Sequence, residues 1–133
     1  MKTIENLNPK HINQLHNLYQ NEWWTKDRTL EETHEIVKNS SVVISFVNDD
    51  DDLVAFARVL SDFVAKAIIF DVIVEPRYRK QGLGKKLMDA ILAHDKLQKV
   101  KHFELYCLPE MVAFYKEYGF KDDLNELVFM RKM

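Results

Sequence analysis

The residues best spaced for chemistry are Arg77-Tyr78-Arg79-Lys80-Gln81-Gly82-Leu83-Gly84-Lys85-Lys86. They hold five basic side chains, no acid, and two of the chain's three glycines. An apolar run rich in β-branched residues, Ala67-Ile68-Ile69-Phe70-Asp71-Val72-Ile73-Val74, precedes them and reads as a buried strand. Leu83, Leu87, Ala90, Ile91 and His94 then recur at i, i+4, i+7, i+8 and i+11, the stripe of an amphipathic helix. A strand, a basic glycine turn and a helix N-terminus together make an anion site. First-turn N–H groups are unpaired, the helix dipole is positive there, and glycine lets phosphate oxygens approach the backbone. A phosphate-bearing ligand is expected. It is not held by a P-loop, because Lys85-Lys86 follow Gly84 and no hydroxyl comes next. Nor is it held by a dinucleotide fingerprint, whose third glycine is replaced by Leu87.

What remains is Arg79-x-x-Gly82-x-Gly84 after Val74-Glu75-Pro76, and this resembles the coenzyme-A signature of the Gcn5-related N-acetyltransferase (GNAT) superfamily. Further on, Phe114-Tyr115-Lys116-Glu117-Tyr118-Gly119-Phe120 is similar to the Tyr-x-x-x-Gly-Phe ending of that family's last helix. Cys107, followed seven positions later by Phe114-Tyr115, looks like the arylalkylamine N-acetyltransferase branch. Ala57-Arg58-Val59-Leu60-Ser61-Asp62 resembles the third-to-fourth-strand hairpin of small bacterial members. The motifs cover roughly residues 41–133, and element order alone extends the likeness to residues 1–40.

The resemblance implies acetyl transfer from acetyl-CoA to a primary amine of a small molecule or peptide, by direct attack in a ternary complex. Backbone groups of Val72, Ile73 and Val74 would hold the pantetheine arm and polarise the thioester. Pyrophosphate would lie over Lys80 to Lys85, so Arg79, Lys80, Gln81, Gly82, Leu83, Gly84 and Lys85 are the cofactor-binding candidates. Arg77, Lys80, Lys85 or Lys86 could pair the ribose phosphate.

Tyr115 is the expected general acid, since a phenol can protonate a departing thiolate; the alternative is that it is aromatic core, as Phe114 and Phe120 are. The branch's two strand histidines fall on Ile68 and Phe70, so the base must lie elsewhere. Glu104 has the strand parity of Tyr106 and is the candidate, with a water chain or an already neutral amine as the other routes. Asp71 alternates with Phe70 and is expected to point the other way. Arg58 and Asp62 read as a structural pair, and Cys107 as a small hydrophobe. Acceptor selection is assigned to Glu22, Trp23 and Trp24, an acid beside aromatic rings that suits a cationic, partly apolar amine. Trp24 is expected to line the pocket and Trp23 to close the core, or the reverse, since the helix ends close by and its phase is open by a residue.

These residues need a frame. With 133 residues, 47% apolar and 30% charged, the chain reads as one domain spanning 1–133. A net charge of -2 gives no reason to expect nucleic acid, and no apolar run is long enough for a membrane span. One cysteine suits a reducing compartment, taken as the cytoplasm, and the molecule is expected to be a monomer or homodimer. Asp49-Asp50-Asp51-Asp52 lacks the glycine and terminal glutamate of a calcium loop, so no metal is expected. Strands are predicted at 2–7, 41–47, 53–60, 65–74, 102–107 and 127–130, and helices at 9–19, 29–39, 83–97 and 110–118. The fold class is α/β of the α+β type, a mixed and mostly antiparallel sheet of six to seven strands flanked by about four helices. A non-catalytic coenzyme-A sensor is the alternative function. A nucleic-acid module is disfavoured, because the basic stretch offers only Tyr78 for stacking.

Overall fold

The computed structural model describes residues 1–133. The chain forms β1 (Lys2–Ile4), α1 (Pro9–Gln20), α2 (Leu30–Lys38), β2 (Val42–Val47), β3 (Leu53–Ser61), β4 (Lys66–Val74), α3 (Leu83–Leu92), β5 (His102–Glu104) and α4 (Val112–Lys116). The strands lie side by side in chain order, antiparallel from β1 to β4, with β5 parallel to β4. Asn8 and Thr29 open the first two helices through reciprocal capping boxes, the former with Pro9 at the first helical position.

The sheet has five strands, not six to seven. Leu127 to Met130 form no ladder and stay exposed. Asn125 turns the chain with φ 62°, and the Phe129 ring then meets that of Tyr106 at 4.8 Å, so the tail docks by side chains without a backbone partner. Strand-prone residues do not make a strand without a ladder to join. The third helix ends at Leu92, not at residue 97. His94 is extended and its ring accepts the Lys96 N–H at 3.1 Å, opening a separate turn at Asp95–Leu97.

Two cores sandwich the sheet. Leu15, Leu18 and Tyr19 of α1 pack on Val43, Val47, Phe56 and Ile73. Leu83, Leu87, Met88 and Ile91 of α3 pack on the other face with Ile44, Val59, Ala67 and Ile69. All six residues of β2 are buried, as expected for a strand covered on both faces.

β4 contains a bulge that positions the site. Phe56 pairs with Ile73 and Arg58 with Phe70, so β3 advances two residues while β4 advances three. Asp71 absorbs the extra residue with φ 55°. Side-chain parity flips there: Ala67 and Ile69 face the α3 core, whereas Ile73 faces the α1 core. The expectation that Asp71 points away from Phe70 therefore fails. The Arg58 guanidinium lies 4.8 Å from the Phe70 ring centroid while its Nε donates to Asp71 at 2.7 Å. Arg58 does not pair with Asp62 either. The Asp62 carboxylate accepts the N–H groups of Val64, Ala65 and Lys66 at 2.9, 2.8 and 3.2 Å, closing the β3–β4 turn.

Candidate active site

After β4 the chain makes one helical turn at Pro76–Tyr78, and Lys80 (φ 65°) and Gly82 (φ 78°) then swing it into α3. Gly82 is the N-cap, and glycine is needed there for its backbone and not for space: a Cβ would meet nothing within 4 Å. The backbone N–H groups of Lys80 to Lys85 find no acceptor in the chain. That of Lys86 is the first to bond, to the Gly82 carbonyl at 3.1 Å. The side chains of Lys80, Lys85 and Lys86 are likewise free of carboxylate partners among the ion pairs. A file of open N–H groups at the head of a ten-residue helix, ringed by ammonium groups, is built for phosphate oxygens.

Arg79 has a different position from the other basic residues. Its Nε donates to the Val74 carbonyl at 3.0 Å and its terminal nitrogen to Glu22 at 2.8 Å. The side chain thus ties the end of β4 to the α1–α2 link, and Glu22 is occupied by this pair.

Beside the turn, the sheet opens. The β4–β5 ladder has three rungs, ending at Ile68 opposite Glu104, whereas β4 stays paired with β3 as far as Val74. From Ile69 onward one edge of β4 has no strand beside it. Glu104, at the last rung, is half-exposed and pairs with Lys66 at 3.2 Å.

Tyr115 lies on α4, packed between Phe114 (5.0 Å) and Phe120 (6.2 Å) against the α3 core. Burial, and secondarily the nearby Cys107 thiol, push its pKa up to about 12, so the phenol stays protonated through neutral and basic pH. Cys107 is exposed and beyond the end of β5, so it does not pack as a small hydrophobe; partial desolvation, with Asp122 and Glu110, pushes its thiol up, away from the thiolate form.

The link between α1 and α2 is anchored by a residue the sequence reading did not single out. Thr25 is buried and donates to the Tyr19 carbonyl at 2.7 Å. Trp23 is 68% exposed and Trp24 41%, so Trp23 does not close the core.

Asp71, read from the sequence only as pointing away from Phe70, is the best-held charge in the molecule. It accepts from Tyr19 Oη at 2.9 Å, Arg28 at 2.7 Å and Arg58 at 2.7 Å. Burial opposes its charge, but the two guanidiniums outweigh this and hold its carboxyl below the usual range; the same burial, with the Asp71 charge, drives the Tyr19 phenol far up. The partners lie 52, 43 and 13 residues away, so no local spacing could reveal them. The only sign was an acid inside an apolar strand.

No helix is long and apolar enough to cross a membrane, and no group of three or more His, Cys, Asp or Glu side chains converges as a metal site.

Comparison with known proteins places this geometry in a family. Residues 10–120 match the Acetyltransferase (GNAT) family. The uncharacterized N-acetyltransferase ycf52 of Porphyra purpurea is 32% identical over 128 residues, covering 92% of this chain and 73% of that protein. The chloroplastic serotonin N-acetyltransferase 2 of Oryza sativa subsp. japonica is 40% identical over 70 residues, 53% of this chain and 35% of that protein. A solved GNAT-family structure from Xanthomonas campestris pv. campestris superposes with a TM-score of 0.83 at 31% identity, covering 100% of this chain and 94% of that one. Proteins of this fold use acetyl-CoA. With residues 10–120 matching the family and a solved member superposing over the whole chain, this chain belongs to the GNAT family of N-acetyltransferases.

Proposed function

We propose that residues 1–133 act as one transferase domain, passing the acetyl group of acetyl-CoA to a primary amine of a small molecule or peptide by direct attack in a ternary complex. One observation carries the reading: the unpaired N–H groups of Lys80 to Lys85 open beside the unpaired edge of β4. Pyrophosphate is held at the first, with left-handed Gly82 aiming the open N–H groups and Lys80 and Lys85 supplying charge. The pantetheine arm runs along the second, on backbone groups of Val72, Ile73 and Val74. Arg79 serves by bracing Val74 and Glu22, since its side chain is committed to both.

The amine nitrogen attacks the thioester carbonyl, an N–H group of β4 stabilises the oxyanion, and the C–S bond then breaks. Tyr115 gives the departing sulfur a hydrogen bond and then its proton. A phenol at about 12 is a poor outright donor to a thiolate whose acid lies near about 8.5, so the hydrogen bond comes first. The amine's proton goes to Glu104 or through water to solvent. Asp71 is saturated by three donors and cannot take it, whereas Glu104 holds only Lys66 in an exposed pair. The single free cysteine supports a reducing compartment such as the cytoplasm.

The test is thiol release from acetyl-CoA with an amine panel, varying both substrates. Intersecting initial-rate lines support a ternary complex, and parallel lines would mean an acyl-enzyme. Coenzyme-A binding with no turnover for any amine would favour the sensor.

A further inference from the structure

The bulge in β4 places an incompletely neutralised positive charge where the sheet opens. Arg28 and Arg58 share one carboxylate, Asp71, and the Tyr19 phenol beside them is neutral. Two guanidiniums thus meet one buried carboxylate; the other acid near them, Glu32, lies on the Arg28 side, which leaves Arg58 the less compensated. Glu22, the acid expected to attract a cationic amine, is spent on Arg79.

Arg58 is the part of this excess with donors to spare: both terminal nitrogens of Arg28 are spent on Asp71, although its side chain is the more exposed of the two, 25% against 11% for Arg58. Its Nε is fixed on Asp71 at 2.7 Å and its guanidinium is stacked on Phe70, so its plane is set, yet its two terminal nitrogens make no hydrogen bond in the chain. The Arg58 side chain keeps 11% of its surface exposed, and its terminal nitrogens are not among the wholly enclosed polar atoms. Phe70 lies two residues beyond the last β4–β5 rung, and its ring meets Tyr106, which is half-exposed, at 6.0 Å. Arg131 adds a second guanidinium 5.4 Å from the Tyr106 ring. A preset guanidinium fork beside an aromatic wall is a receptor for a planar or tetrahedral anion.

We propose that the acetyl acceptor carries an anionic group, carboxylate or phosphate, in addition to its amine, and that Arg58 is the specificity-determining residue that receives it. This rests on the acetyl-transfer reading above and narrows its substrate class.

Matched amines test it in the intact protein: tyrosine against tyramine for carboxylate, and O-phosphoethanolamine against ethanolamine for phosphate. The expected result is a kcat/KM at least about 10-fold higher for the anionic member of one pair, with the preference shrinking as salt is raised. Which pair shows it identifies the anion. Arg58→Lys keeps the charge but loses the fork, and should cut that preference several-fold while leaving the KM for acetyl-CoA unchanged. Because Arg58 also holds Asp71, the variant could misfold, so a wild-type measurement stands beside it. 3-(4-Hydroxyphenyl)propanoate should bind the protein–coenzyme A complex by calorimetry and 4-ethylphenol should not, a readout that needs no turnover. Amines acetylated without regard to their anionic group in both pairs would overturn the proposal, as would the two phenols binding alike while the phosphate pair shows no preference. Anion binding that is intact while every amine goes unacetylated would leave the Arg58 site standing and remove the transfer reading instead.

Discussion

The turn into α3 and the bulge in β4 sit at the same end of the same strand and are built from opposite materials. The turn offers backbone: N–H groups of Lys80 to Lys85 with no acceptor, shaped by left-handed Lys80 and Gly82. The bulge offers side chains, with Asp71 held by Tyr19, Arg28 and Arg58 drawn from α1, the α1–α2 link and β3. A backbone site depends on φ and ψ at a few adjacent residues and tolerates many side chains. A charge network depends on every member, because removing one leaves another buried and unpaired. The two regions should therefore break differently.

The largest effect is expected at neither, but at Tyr115 on α4. Tyr115→Phe should lower kcat by about 10²–10⁴-fold with little change in the KM for acetyl-CoA. A drop below about threefold, where chemistry limits the rate, would mean that solvent protonates the thiolate. Since the phenol is lost only as pH rises through about 12, kcat should show no alkaline limb from this group below roughly pH 10.

Next comes the bulge. Asp71→Asn keeps a residue that tolerates positive φ and removes only the charge, leaving two arginines facing an amide. Stability should fall by about 3–5 kcal/mol, read by urea unfolding. The sign of the pH dependence follows from a carboxyl held below its usual range: its contribution is complete above the unfolded value near about 4 and is lost as pH falls through the native value. The variant should lack that acid-side loss. A stability change below about 1 kcal/mol would mean that the network is decoration.

The turn should respond through affinity. Gly82→Val forces a β-branched residue to φ 78°, at a cost of roughly 1–2 kcal/mol, and should raise the KM for acetyl-CoA while α3 persists. Gly84→Ala separates backbone from bulk, since its Cβ would sit 3.7 Å from the Phe114 ring in ordinary contact. Its effect should stay within about 0.5 kcal/mol. Equal damage from both variants would show that side-chain volume and not left-handed backbone limits the site.

The smallest effects belong to the link that joins the two regions. A double-mutant cycle on Glu22 and Arg79 should give a coupling of about 0.2–1 kcal/mol, as for an exposed pair. Trp23→Ala should leave the Tm unchanged within error, given its 68% exposure. A clear loss of Tm would return Trp23 to the core.

How much was legible follows the same division. The turn could be read because its chemistry is contiguous: Arg79-x-x-Gly82-x-Gly84 between an apolar strand and an amphipathic helix fixes where N–H groups go unpaired, whatever surrounds them. The helix starts were legible for the same reason, from Pro9 at the first helical position and from Thr29 with Glu32 three residues on, whereas the Asn8 cap with His11 was not read. Leu127 to Met130 misled because strand propensity says nothing about whether a ladder partner is at hand. The bulge was hidden because one extra residue in β4 is visible only against the register of β3, and it reverses every side chain beyond it. The sequence by itself determined the strand-turn-helix unit with its unpaired N–H groups and the family, all set by neighbours along the chain. Only the tertiary structure decided that Asp71 faces Arg28, Arg58 and Tyr19, that Glu22 belongs to Arg79, and that Trp23 faces solvent. Charge pairing and burial depend on distances in space, and residues tens of positions apart carry no mark of where folding will bring them together.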